Sequence, residues 1–332
     1  MNQVSIIIST YKRVNLLNQV LKSLTFQDNI FEILVIDSNC NDGTKNLVES
    51  YNLNTDINVK YFDVDNNVSL KRNTGIKESS TKHLIFLDDD CIPDEHFVCD
   101  HLDSMSKNPN ALNCGDVFFP KEHVKSSNYI RYKDSRHIPY RYSDSNKLDL
   151  DFKSIVTMNM SMNKDQILKN NLSFREDFIG YGMEDNEFGC QVMDSGAKIK
   201  RCKASIQHME GNDPFLFSTK IFHTARDGVY KLKSVNKKAV MSLPYSYYFE
   251  TDYRHKNILI KYSIKLMRLF FTIKIAKYIL KFLNLFDGYR FLYLPVFYKY
   301  VYACYYNEGV KKRKEAYKSI NEVSNSWYSD NV

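Results

Sequence analysis

The chain has 332 residues, 43% of them hydrophobic and 14% aromatic, with 46 Lys and Arg against 39 Asp and Glu for a formal charge of +7. That length accommodates one α/β catalytic domain of about 200 to 250 residues plus an appendage, and the composition excludes a disordered chain. The seven cysteines are scattered, odd in number and without CxxC spacing, which argues against a disulfide framework or a structural zinc site and fits a reducing cytosol.

The opening Met-Asn-Gln-Val-Ser-Ile-Ile-Ile lacks a basic segment, and its apolar run is too short for a signal peptide. No stretch approaches about 18 consecutive apolar residues, so no membrane span is expected. Sequons at Asn67, Asn159 and Asn171 read as chance in an Asn-rich chain. Residues 4–8 form an apolar, β-branched run of the kind that fills a strand buried on both faces. Residues 16–26 then repeat apolar positions at helical spacing through Leu16, Leu17, Val20, Leu21 and Leu24. Strands are predicted over 32–36, 59–64 and 83–87, with helices over 44–51 and 69–80. Strand and helix in alternation specify a doubly wound, mostly parallel sheet with right-handed crossovers. Ligands bind outside the carboxyl ends of such strands, and the polar clusters 9–13, 37–44 and 88–90 fall at those ends. From 115 to 155 the pattern is irregular and rich in Tyr, Arg and Ser, as an acceptor-side loop region would be.

Three features carry chemistry. Asp88, Asp89 and Asp90 follow the strand His-Leu-Ile-Phe-Leu, and adjacent carboxylates repel unless a cation compensates them. Mg²⁺ or Mn²⁺, which takes oxygen ligands together with substrate phosphates, is one reading, and a solvated acidic turn is the other. The run Phe178-Ile-Gly-Tyr-Gly-Met-Glu-Asp-Asn-Glu-Phe188 places Glu184 and Asp185 at a helix start after two conformationally free glycines. Carboxylates there suit the helix dipole; alternatively, Asp185 is the general base that deprotonates an acceptor hydroxyl, with Glu184 hydrogen-bonding the acceptor. His208 is either a satisfied histidine or a third metal ligand.

Together these motifs resemble glycosyltransferase family 2, whose fold is GT-A. Val4-Ser-Ile-Ile-Ile-Ser-Thr-Tyr-Lys-Arg13 looks like the family's first strand and nucleotide loop, and Asp37-Ser-Asn-Cys-Asn-Asp-Gly-Thr44 is similar to its Asp-Asp-Gly-Ser-x-Asp-Gly-Thr segment. Leu70-Lys-Arg-Asn-Thr-Gly75 matches its Ala-Arg-Asn-x-Gly helix start, and Leu87-Asp-Asp-Asp90 falls at its Asp-x-Asp motif. The Gly180-to-Phe188 run resembles the Gly-Trp-Gly-x-Glu-Asp-x-Asp-Phe signature of galactosyl- and N-acetylgalactosaminyltransferase-like members, with departures at Tyr181 and Met183. Ser38 stands where the family carries a second Asp.

The resemblance covers about residues 3 to 210 and implies roles. Thr10, Tyr11, Arg13, Asp37, Arg72, Asp88 and Asp89 would contact the donor, with Tyr11 stacked on the base and Asp37 accepting from it. Asp90 and His208 would hold Mn²⁺ or Mg²⁺, Glu184 would contact the acceptor and Asp185 would be the base. The implied function is inverting transfer of a sugar from a nucleotide-sugar, a UDP-sugar by preference, to a hydroxyl of a glycan or polymer acceptor. Bacterial surface-polysaccharide assembly fits that class. The expected division is a GT-A domain over 1–214, with a nucleotide-binding half 1–110 and an acceptor half 111–214, followed by a helical region 215–332.

Residues 253 to 286 carry eight Lys or Arg and no acid, with aromatic and aliphatic residues at helical spacing. Such a region suits an anionic membrane surface on the cytoplasmic face, or else packs on the catalytic domain or on another subunit with its cations solvated. No recognition motif for nucleic acid accompanies the charge. Two rival functions are a sugar nucleotidyltransferase, which should carry a Gly-rich loop where Ser-Thr-Tyr-Lys-Arg stands, and a non-catalytic nucleotide-sugar-binding assembly module.

Overall fold

A computed structural model describes residues 3–38, 41–54, 57–137, 149–211, 213–250 and 257–318. Cys40 and residues 138–148 of the expected acceptor loops lie outside the described residues. The chain forms two compact units, the first from Met1–Pro120, Asp134–Glu176 and Asp185–Glu210, the second from the remainder.

The first unit is built on a nine-stranded sheet of β1 (Val4–Ser9), β2 (Ile30–Asp37), β3 (Asn58–Asp63), β4 (His83–Asp88), β5 (Cys91–Pro93), β6 (Leu112–Phe118), β7 (Asp149–Leu150), β8 (Asn159–Asn163) and β9 (Ile199–His208). The order is β3-β2-β1-β4-β8-β6-β9-β5, with β7 paired to β9. β1 lies between β2 and β4, parallel to both, so the carboxyl ends of all three open on one edge. Four helices interleave with these strands: α1 (Val14–Leu24), α2 (Thr44–Asn54), α3 (Val68–Glu78) and α4 (Phe97–Lys107). In α1, the buried Leu17, Val20, Leu21 and Leu24 form the stripe that helical spacing predicts. α3 begins where the Asn67 side chain accepts from the N–H groups of Ser69 and Leu70, a cap that also accounts for one of the sequons. Its Gly75 lies against β1 so closely that a Cβ there would sit 2.3 Å from Ile7 Cγ2.

Beyond β4 the sheet becomes mixed. β8, which follows the segment 115–155 whose sequence reads as irregular, is antiparallel to both β4 and β6. Its buried polar residues have partners inside the protein: His101 of α4 meets Ser161 Oγ at 2.9 Å and Asn159 Oδ1 at 2.8 Å. Burial pushes the His101 imidazole down to about 4, so the neutral ring serves this network at neutral pH. The first unit is therefore an α/β doubly wound, mostly parallel sheet, and C-terminal helices accompany it, as the resemblance to GT-A implies.

The second unit is helical, with a core of Phe222, Ala276, Leu280, Val301, Cys304 and Tyr305 drawn from helices Pro214–His223, Ile273–Leu285 and Pro295–Lys311. Among the described residues, no helix is long and apolar enough to cross a membrane.

Candidate active site

The register Ser9 to Asp88 brings the ends of β1 and β4 side by side. Thr10, the next residue, donates its N–H to Ile36 O at 2.9 Å and its hydroxyl to Asp89 Oδ2 at 2.7 Å, tying β2, β1 and β4 together. Arg13 donates from Nη1 to Asp89 Oδ1 at 3.0 Å and to Asp90 Oδ2 at 2.7 Å. One guanidinium thus compensates two carboxylates that are almost wholly out of water. Burial still raises the Asp89 carboxyl above its usual range, against the opposing pull of Arg13.

Asp90 Oδ1 faces His208 Nε2 at 3.6 Å. Antiparallel pairing of β5 with β9 causes this, since Cys91 stands opposite His208 in the register. Donor atoms of Asp90, Cys91 and His208 lie within 4.8 Å of one another. Burial and the adjacent carboxylates hold the Cys91 thiol well above its ordinary value. His208 Nδ1 is buried without a hydrogen-bond partner, which costs stability unless another group meets the ring. Carboxylate oxygen and imidazole nitrogen at this spacing fit a divalent cation of the Mn²⁺ type.

Arg72 of α3 joins the other carboxylates. Its Nη1 donates to Asp185 Oδ1 at 2.9 Å, its Nη2 lies 3.8 Å from Asp88 Oδ1, and its plane covers the Phe174 ring. Burial, helped by Asp90, Asp185 and Asp89, pushes the Asp88 carboxyl up to about 7 against the opposing pull of Arg72. Asp185 is also held by Thr157, which donates its N–H at 3.2 Å to Oδ2 and sits with its hydroxyl 3.1 Å from both oxygens.

Thr10, Arg13, Asp89, Asp90 and His208 therefore form one connected network, and Arg72 links Asp88 to Asp185. Lys71, buried beside Arg72, donates to Thr10 O at 2.7 Å and to Asn66 Oδ1 at 3.1 Å. Its ammonium also lies 5.3 Å from the Tyr11 ring, fixing the aromatic near the loop. Asp37, fully buried at the end of β2, accepts from Tyr61 OH at 3.0 Å. Glu184 is buried at the first turn of helix Glu184–Asp194 and falls in the second unit. There the preceding turn is set by its glycines: Gly182 has φ +86°, and a Cβ on Gly180 would lie 2.2 Å from Asp227 Cβ.

Sequence reasoning overlooked Lys71, Thr157 and Cys91. Lys71 carried a signal, because a lysine next to Arg72 on the inner side of a helix start needs acceptors. Thr157 carried none, being 28 residues from its partner and in no motif.

The model of glycosyl transferase family 2 matches residues 5–170, half of the chain. The chain belongs to glycosyl transferase family 2. This family member also matches the model described as the N-terminal domain of galactosyltransferase over residues 137–211. It is 35% identical over 94 residues to the GalNAc(5)-diNAcBac-PP-undecaprenol beta-1,3-glucosyltransferase of Campylobacter jejuni, across 27% of this chain and 30% of that protein. The chain covers 40%, 50% and 30% of the length of three curated relatives, this one included. Two solved structures share its fold. S. aureus TarS 1–349 in complex with UDP-GlcNAc aligns over 96% of this chain and 93% of its own, at 13% identity and TM-score 0.52. The mannosyltransferase PcManGT of Pyrobaculum calidifontis, in complex with GDP-Man and Mn²⁺, aligns over 92% and 86%, at 13% identity and TM-score 0.54.

Proposed function

We propose that this chain is an inverting, divalent-metal-dependent glycosyltransferase that moves a sugar from a nucleotide-sugar, of the UDP class, to a hydroxyl of a glycan or polymer. The observation that carries this reading is the convergence of Thr10, Arg13, Asp89, Asp90 and His208 at the carboxyl ends of β1 and β4, with Arg72 and Asp185 beside them. Family membership supports glycosyl transfer, and the TarS complex with UDP-GlcNAc and the PcManGT complex with GDP-Man and Mn²⁺ support a nucleotide-sugar donor and a metal. The Campylobacter relative, named for an undecaprenol-linked glycan substrate, supports a glycan acceptor. The donor half is assigned to 1–110 and the acceptor half to 111–214.

In this reading Tyr11 stacks on the base, Asp37 accepts from it, and Asp89 binds the ribose through the oxygen edge that Thr10 and Arg13 orient. Asp90 and His208 would hold the cation, which would supply charge stabilisation for the departing diphosphate. Asp185 takes the acceptor proton while the hydroxyl attacks the anomeric carbon from the opposite face, so a single displacement inverts configuration and no enzyme nucleophile is required. Arg72 and Thr157 hold and aim the Asp185 carboxylate. Glu184 contacts the acceptor.

A panel of nucleotide-sugars tests the reading by thermal denaturation with and without Mn²⁺. At least one UDP-sugar is expected to raise the melting temperature only with metal, and Asp90→Asn and His208→Ala should each remove that metal dependence. The product of the stabilising donor should have inverted anomeric configuration by NMR. Stabilisation that ignores both substitutions would sink the metal assignment, and retention would sink the single-displacement mechanism.

A further inference from the structure

The helix Ile273–Leu285 turns Ala276, Leu280 and Leu283 into the core of the second unit. A second apolar line, Ile275, Tyr278, Phe282 and Leu285, follows the spacing i, i+3, i+7, i+10 and stands open to solvent, with Leu285 72% exposed. A folded helix ordinarily needs one apolar face; this one has two. Alongside the open line runs a third, of Lys274, Lys277 and Lys281, at the same helical spacing.

Helix Ile258–Arg268 repeats the arrangement. Only Ile264 is buried, while Leu259 (72%), Tyr262 and Leu266 form an exposed line at i, i+3, i+7 that continues to Leu269 (69%), with Lys261 and Lys265 on its flank. Further along, Phe291 is 81% exposed. Scattered apolar residues on a surface need no explanation, but periodic lines on successive helices do.

The charge identifies the occupant. Eight cations and no acid lie between residues 253 and 286, whereas an interface between two copies of this face would bring those cations together. Lys274, Lys277 and Lys281 line a cleft of about 480 Å³ together with Phe215 and Tyr278, which gives anionic groups a basic pocket next to the apolar line. Apolar rows edged with long cationic side chains match the boundary between lipid headgroups and acyl chains, where lysine stems lie along the apolar layer and their ammonium groups reach phosphate. The described helices are not long and apolar enough to cross it.

We infer that the exposed faces of Ile258–Arg268 and Ile273–Leu285 form a docking surface for an anionic phospholipid bilayer, on which the helices lie rather than insert. Hydrophobic side chains supply contact with the acyl boundary, and the lysine row makes binding depend on surface charge. This surface is independent of the proposed chemistry.

Co-sedimentation of the full chain with phosphatidylcholine vesicles, with and without phosphatidylglycerol, tests the inference. Binding is expected only to the anionic vesicles, weakened by salt, and lowered about a hundredfold by combined Lys274→Glu, Lys277→Glu and Lys281→Glu. Combined Leu259→Ser, Tyr278→Ser and Leu285→Ser, all at exposed positions, should abolish it with the melting temperature unchanged. Equal binding to neutral vesicles would overturn the role of charge. No binding to either vesicle, or a dimer that the serine variant dissociates, would overturn the bilayer as occupant.

Discussion

A carboxylate in this site is defined by what holds it. Asp185 takes hydrogen bonds from Arg72 and from both the N–H and the hydroxyl of Thr157. Replacing Thr157 by valine keeps the volume and the backbone donor and removes one hydrogen bond to an ionised group. The expected result is a fall in kcat of about tenfold with donor KM unchanged, measured by steady-state kinetics; a variant that loses melting temperature but keeps kcat would make Thr157 purely structural. The sequence made Asp185 legible because it sits in a motif, as do Thr10, Arg13 and Asp89. It left Thr157 dark, because its role comes from a contact across the fold; Lys71 was marked only by its place beside Arg72, and its acceptors Thr10 O and Asn66 Oδ1 were not legible. The position of His208 was legible, but the reason it meets Asp90 was not: that depends on β5 pairing with β9.

At the level of elements, β1, β2 and β4 were readable because strands buried on both faces are apolar along most of their length. β8 was not. Its sequence Asn-Met-Ser-Met-Asn alternates polar and apolar residues, yet Asn159 and Ser161 are fully buried, made tolerable by His101 from α4. A partner that distant leaves no local trace. The junction of β2 with its neighbours has its own electrostatics: Glu32 is fully buried and bonded by Lys60 at 2.6 Å, Ser5 at 2.7 Å and Ser80. Burial alone would raise its carboxyl, but Lys60, Ser5 and Ser80 outweigh it and the value is lowered from 4.5. A lowered carboxyl contributes stability that is fully present above its unfolded value and is lost as pH falls through the folded one. Glu32→Gln should therefore cost about 1–2 kcal/mol at neutral pH, since Lys60 can turn to solvent. The gap from the native protein should narrow as pH drops below 4.5, as read by denaturant unfolding. A gap that stays constant into acid would show that the charge of Glu32 contributes nothing.

On the scale of the whole molecule, a family 2 sheet and a basic helical unit are carried by one chain, each with its own surface of interest. Sequence composition announced the change of character near residue 215, but it left open whether the basic helices were covered. Their outward apolar lines became visible only once the inner face was assigned to the core of Phe222, Leu280 and Val301. The catalytic proposal and the membrane inference fail separately, because vesicle binding involves no residue of the carboxylate network.

The central claim is that Asp185 is the base for transfer at this site, and the measurement that reaches it most directly is turnover of Asp185→Asn alongside its donor affinity. With the UDP-sugar selected by thermal stabilisation, the rate is expected to fall about 10²–10⁴-fold, the range for removal of a general base, while donor Kd changes little. Near-normal turnover in that variant would contradict the account.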